Sequence, residues 1–202
     1  MLMHQSLLAI RRDLDKLRRL DRSRSVHGSA GHRYVERPAL ARAELHDLEA
    51  AYGVALPEEL REFLLHVHGG GAGPGYGLYI PRTPEQLEEL QLREPFPYGD
   101  EAAAASLQRR AVERFAMLPR IDLPDGKEFA PGALPLAHEG CGAFDLLIVT
   151  GEQRGKMWGV DMGYFPVYDG VAGAVGPRGH FDFLGWYEDW LARSFRHLTR
   201  GR

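Results

Sequence analysis

Cysteine occurs once, at Cys141, so no intrachain disulfide and no cysteine-rich zinc site can form. Lysine is nearly absent: only Lys16, Lys127 and Lys156 accompany 22 arginines, a bias that matches GC-rich codon usage better than an arginine-based function. No run approaches the ~18 apolar residues of a membrane span. The first residues, Met1 to Ser6, lead straight into a charged amphipathic segment with no apolar leader core, which predicts a cytoplasmic protein without membrane contact. Excess positive charge is also missing. Lys+Arg number 25 against 28 Asp+Glu, a net of −3, which argues against direct nucleic-acid binding.

What is present is ordinary globular composition, 44% hydrophobic and 26% charged in 202 residues, enough for a self-sufficient core. The charge is unevenly spread. Residues 1–37 hold nine basic and four acidic side chains, whereas residues 38–202 carry a net of −8. Leu7, Ile10, Leu14 and Leu17 step by three and four, predicting an amphipathic helix over Gln5–Leu20 that docks on its own domain or offers a dimer or partner contact. Residues 22–37 have the small, polar composition of a linker. The chain therefore divides into a basic extension, 1–37, and a domain, 38–202.

Within that domain, Leu40, Leu45 and Leu48 mark a helix closed at Gly53. A second starts at Leu56-Pro57-Glu58-Glu59 and buries Leu60, Phe63, Leu64 and Val67 before Gly69. Gly77–Ile80 predicts a strand, Thr83–Gln86 a capping box on a helix through Leu90, and Asp100–Phe115 an Ala-rich helix. Four prolines across 119–135 make an irregular crossing. Leu134–Ala137, Phe144–Thr150, Lys156–Asp161 and Phe165–Tyr168 read as strands, with a hairpin loop at Gly151–Gly155. An aromatic helix over Phe181–Phe195 closes the chain. The fold expected is α+β: N-terminal helices packed on an antiparallel sheet, closed by a C-terminal aromatic-rich helix.

No motif carries catalysis, a metal or a cofactor. Gly69–Gly77 is glycine-rich, but a helix precedes it and a strand follows, the reverse of a phosphate loop, so it reads as a close-packed helix-terminating turn. Cys141 with His138 resembles a thiol and base, yet a cysteine between Gly140 and Gly142 is more simply a small turn residue. His66 and His68 at i,i+2 point apart on a helix and cannot share a metal; helix-end residues facing the dipole are expected instead. Asp182 is expected to cap the closing helix, with Glu188 and Asp189 on its solvated face, and Asp145 and Asp161 can share a sheet face. Carboxylates cluster at Glu44, Asp47, Glu49, Glu58, Glu59 and Glu62, and again from Glu85 to Glu101, a solvated surface or a face for a basic partner.

The order of these elements resembles the SUKH superfamily, which includes fungal cell-wall synthesis regulators and bacterial immunity proteins. The resemblance rests on Leu48–Leu64 with Leu56, Pro57 and Phe63, then Gly69, Gly70 and Gly73–Leu78, and later Leu134–Ala137, Gly140, Gly142, Trp158, Phe183 and Trp190. It spans roughly residues 38–192 and leaves out the basic extension and the long stretch from 92 to 133. It implies a non-enzymatic α+β domain that works by binding a protein. An immunity protein occluding a basic toxin domain is the leading expectation, with Glu58, Glu59 and Glu62 as the guessed contact residues. A regulatory or scaffolding interaction module unrelated to a toxin is the alternative. The chain would act as a monomer, or as a dimer through its first helix.

Overall fold

The computed structural model describes residues 2–88, 90–96, 131–140, 143–161, 165–167 and 182–200. The expected Ala-rich helix after Asp100, the proline crossing up to residue 130, Cys141 and Gly142 lie outside them. Among the described residues five helices precede the strands: α1 (Leu2–Leu20), α2 (Ser29–His32), α3 (Arg42–Tyr52), α4 (Glu58–His66) and α5 (Pro84–Glu88). Strands β1 (Ala133–Gly140), β2 (Ala143–Ile148), β3 (Met157–Asp161) and β4 (Phe165–Val167) follow, and α6 (Phe183–Arg200) closes the order. The fold is α+β as expected, with the strands paired antiparallel in sequence order.

Local chemistry accounts for the helix ends. Glu44 Oε2 accepts the Ala41 N–H at 2.7 Å to start α3, and Gly53 ends it in the left-handed conformation. Gln86 Oε1 accepts the N–H groups of Arg82 and Thr83, while Thr83 Oγ1 accepts that of Gln86. This capping box opens α5, which stops at Glu88 rather than Leu90. Asp182 caps α6 by accepting the Gly185 N–H at 2.9 Å. That helix runs past the expected end at Phe195 to Arg200, because its last turns carry Arg196, His197 and Arg200, cations that suit a helix C-terminus.

The expected strand at Gly77–Ile80 does not join the four-stranded sheet. Its backbone instead makes two bonds to β1, Tyr76 N–H to His138 O and Tyr79 N–H to Leu136 O, and bridges to the glycine loop through Leu78 and Gly71. One hydrophobic core joins the helices to the inner sheet face, through Leu7, Ile10, Leu14 and Leu17 of α1, Leu60, Phe63 and Leu64 of α4, Leu134, Leu136 and Leu147, and Phe183, Tyr187 and Trp190 of α6. The apolar stripe of α1 is thus buried inside its own chain. Leu146, Ile148 and Trp158 are buried outside that cluster, with Phe96 packed edge-on to Trp158 at 4.7 Å.

Residues 22–37 differ from their linker-like composition, because they wind around one buried carboxylate. Asp21, 1% exposed, accepts hydrogen bonds from Ser25 N–H and Oγ, Val26 N–H, Ser29 Oγ and Tyr34 Oη at 2.7–3.2 Å. Burial pushes its pKa up, but the bonds from Tyr34, Ser25, Ser29 and Val26 outweigh that and hold it below the usual range. The small polar residues that read as a linker are the donors this carboxylate needs. Asp21→Ala strands those donors in the interior and should lower unfolding free energy by about 3 kcal/mol or more. Urea denaturation checks this, and a loss under ~1 kcal/mol would refute the anchoring role.

Candidate functional site

The glycine loop between α4 and the sheet sets the geometry of the main exposed surface. A methyl group on Gly71 (φ +106°) would fall 2.2 Å from Val35 O, and one on Gly75 (φ +55°) 2.4 Å from His138 O, so both positions need glycine for conformation and for close backbone approach. The loop is a close-packed helix-terminating turn, as its order predicts. It is clamped from inside by a buried chain of hydrogen bonds. His68 Nδ1 accepts the Gly70 N–H (3.2 Å), which leaves the proton on Nε2 to meet Tyr187 Oη at 3.1 Å, and Tyr187 donates to Ala72 O at 2.9 Å. Burial lowers the His68 pKa to about 4, only partly opposed by the Gly70 bond. His68 is therefore a neutral core residue past the end of α4, not the dipole-facing helix-end group expected. His66 ends that helix, 3.3 Å from Glu62.

Held this way, Tyr76 and Tyr79 stand beside β1 and remain 52% and 41% exposed. They line a groove of about 460 Å³ with Pro81, Gln86, Pro135, His138 and Phe144. His138 stacks on Tyr76 at 5.6 Å and packs against Phe144 at 4.7 Å. The histidine weighed as a base for Cys141 is thus part of an aromatic wall. Glu85 and Glu88 of α5 are exposed on the short helix that also carries Gln86, whereas Arg82 turns its guanidinium onto Gly69 O at 2.8 Å. Exposed aromatic rings held on a hydrogen-bonded backbone form a surface suited to protein contact.

The guessed contact residues fall on α4, away from the groove lining. Glu58 is exposed, Glu62 is half-buried beside His66, and Glu59 Oε2 accepts the Leu184 N–H at 3.0 Å, so it holds the start of α6. Glu44 and Glu49 have internal partners too: Glu44 caps α3, and Glu49 accepts the Leu56 N–H while pairing with Arg61 at 3.0 Å. Much of the acidic cluster is therefore spent inside the fold. The family-pattern residues are mostly structural: Leu56, Phe63, Trp158, Phe183 and Trp190 are at most 4% exposed, Pro57, Gly69 and Gly70 are buried, and Gly140 has a left-handed φ.

Asp145 does not serve as half of an open carboxylate pair. It is 4% exposed and accepts from Trp186 Nε1 at 2.8 Å. Burial, then the neighbouring Glu139 carboxyl, raises its pKa well above the ordinary value. Glu139 is itself raised by burial, against the pull of His27 and Arg193. The neighbouring Glu139 carboxyl is half-buried and also lies 3.7 Å from the His27 ring. Asp189 pairs with Arg193 on the outer face of α6. Among the described residues no group of three or more His, Cys, Asp or Glu is placed to hold a metal ion, and no helix is long and apolar enough to cross a membrane. The tyrosines at 76 and 79 were the residues that sequence reading passed over; two aromatics framed by glycine and proline in a surface segment were the available signal.

Helices layered on one face of an antiparallel meander, with contact surfaces exposed around a glycine turn, define a small α+β domain. The chain belongs to the SMI1 / KNR4 family (SUKH-1), whose model matches residues 39–172, more than half of its length. Membership is compatible with an immunity role. No curated protein and no solved structure matches the chain.

His68 and His32 are both lowered to about 4 by burial, the latter against the attraction of Asp21. Depressed histidine values make folding favour the deprotonated state. Their contribution is complete above about pH 6.5 and is lost as pH falls toward 4, about 3 kcal/mol for the buried His68 and less for the half-buried His32. His68→Gln keeps an acceptor and a donor but cannot titrate. Its urea midpoint should fall by about half as much as that of the parent between roughly pH 7 and pH 4.5. Equal acid sensitivity in the two proteins would show that His68 is not the titrating group.

Proposed function

We propose that this protein is a non-enzymatic binding domain that neutralises a toxin by stoichiometric occlusion. The aromatic groove of Tyr76, Tyr79, His138 and Phe144 carries this reading, on a chain of the SUKH-1 family. Immobile aromatic side chains supply large contact area at low entropic cost, which is the chemistry of an interface anchor. The exposed carboxylates Glu58 on α4 and Glu85 on α5 match a basic partner such as a nuclease domain, whose substrate cleft must itself be cationic to hold phosphates. The anchor sets how long the complex lasts, and the exposed charges set how fast it forms. The chain works in the cytoplasm, alongside the toxin's target, and uses neither metal nor cofactor.

The test is binding to the product of the adjacent gene, measured by calorimetry and stopped flow with the full chain. Tyr76→Ala should weaken the complex by about tenfold or more, mainly through faster dissociation. Glu58→Lys with Glu85→Lys should slow association and reduce its salt dependence; Glu59 is left intact because it caps α6. Loss of affinity in the tyrosine variant together with loss of protection in cells supports occlusion at the groove. A tight endogenous partner in cells lacking any toxin points instead to a regulatory module, and turnover of a small molecule by the pure protein overturns the reading.

A further inference from the structure

A second exposed surface is basic. The C-terminal ends of α1 and α6 lie side by side and enclose a groove of about 750 Å³ lined by Lys16, Leu20, Ser23, Phe195, Leu198 and Arg200, among others. Lys16 and Leu20 are one turn apart on α1, and Phe195, Leu198 and Thr199 follow the same spacing on α6, so two helical ridges run along its walls. Its floor is apolar: Leu20 is 43% exposed, and Phe195 and Leu198 are half-buried. Lys16 Nζ sits over the Phe195 ring at 5.2 Å.

Cations crowd this pole. Arg19, Arg22 and Arg24 are exposed and flank the lining residues in sequence, and among the described residues no carboxylate lies within 4.0 Å of them or of Arg200. The one acid in the loop, Asp21, turns its carboxylate inward to the bonds described above. Asp15 and Asp189 are each paired with arginine. No acidic residue follows Asp189 in the sequence, while Arg193, Arg196, Arg200 and Arg202 do. Part of this charge complements the two helix C-termini, but Arg22 and Arg24 lie beyond α1 and serve no helix end.

We infer that this groove docks an acidic amphipathic helix of a protein partner, independently of whatever occupies the aromatic groove. Charge complementarity requires an anion. The concave apolar floor between two helical ridges suits leucine-like side chains at i, i+3 and i+4, which a phosphate backbone lacks and a flat bilayer cannot insert into a cleft.

The probe is a fluorescein-labelled synthetic helix of about 14 residues, with leucines on one stripe and glutamates elsewhere, read by anisotropy on the full chain. Saturable binding is expected, weakening about tenfold or more between roughly 50 and 300 mM salt. Lys16→Glu with Arg200→Glu, and separately Leu20→Glu, should each cost about tenfold in affinity at a temperature where circular dichroism shows both variants still folded, because reversing charge at a helix C-terminus lowers the melt slightly; all three positions are exposed. The proposal is overturned if the helix does not bind, if a scrambled peptide of the same composition binds equally, or if a single-stranded oligonucleotide or phosphatidylglycerol vesicles bind more tightly. It is also overturned if Leu20→Glu leaves affinity unchanged.

Discussion

Tyr187 stands where three parts of the chain have to agree. Its ring packs against Phe63 of α4 and Trp190 of its own helix, and its hydroxyl reaches both the His68 ring and the Ala72 carbonyl. None of these polar atoms has access to water, so each depends on the others for a partner, and an unpaired one would cost more than a single bond contributes. The glycine loop can lie deep against the helices only because this chain of bonds satisfies its backbone. Burial keeps His68 neutral, and neutrality lets it accept and donate at once.

From that constraint follows the placement of the exposed features. A loop pinned at Gly70 and Ala72 directs the next residues along β1, where Tyr76 and Tyr79 donate their backbone N–H groups to the strand. With the backbone so occupied, their side chains remain outside, over His138 and Phe144. On another side of the core the same economy works through Asp21, which draws an otherwise loose segment into a compact turn and leaves the arginines around it facing solvent. Two buried polar groups thus arrange two exposed surfaces, one aromatic and one basic. The acidic helices contribute less free charge than their composition suggests, because Glu44, Glu49 and Glu59 are engaged in capping and pairing.

Periodicity made much of the framework legible. The steps of three and four in α1, α3 and α4, the glycine stops at Gly53 and Gly69, the hairpin at Gly151–Gly155 and the cap at Asp182 all depend on neighbours within a turn or two, so the sequence carries them directly. Composition misled where the partner was distant. Residues 22–37 looked loose because their serines, glycines and tyrosine have meaning only around Asp21. The register of β2 and β3 puts Asp145 on the same sheet face as Asp161, as expected, but alternation cannot reveal that Asp145 meets Glu139 and, 41 positions away, Trp186. The contact surface was guessed at Glu58, Glu59 and Glu62 from charge density, which cannot reveal that Glu59 is already holding α6.

Sequence alone determined the longer helices and the four strands among the described residues, the α+β class and the uneven charge, because helical stripes, turn glycines and net charge are properties of short windows or simple sums. Only the tertiary structure decided which polar residues are interior fasteners, which aromatics remain outside, and that the C-terminal ends of α1 and α6 share one basic pole. Those outcomes depend on contacts between residues far apart in the chain, where burial turns a hydroxyl, an imidazole or a carboxylate from a surface group into one that must find a partner.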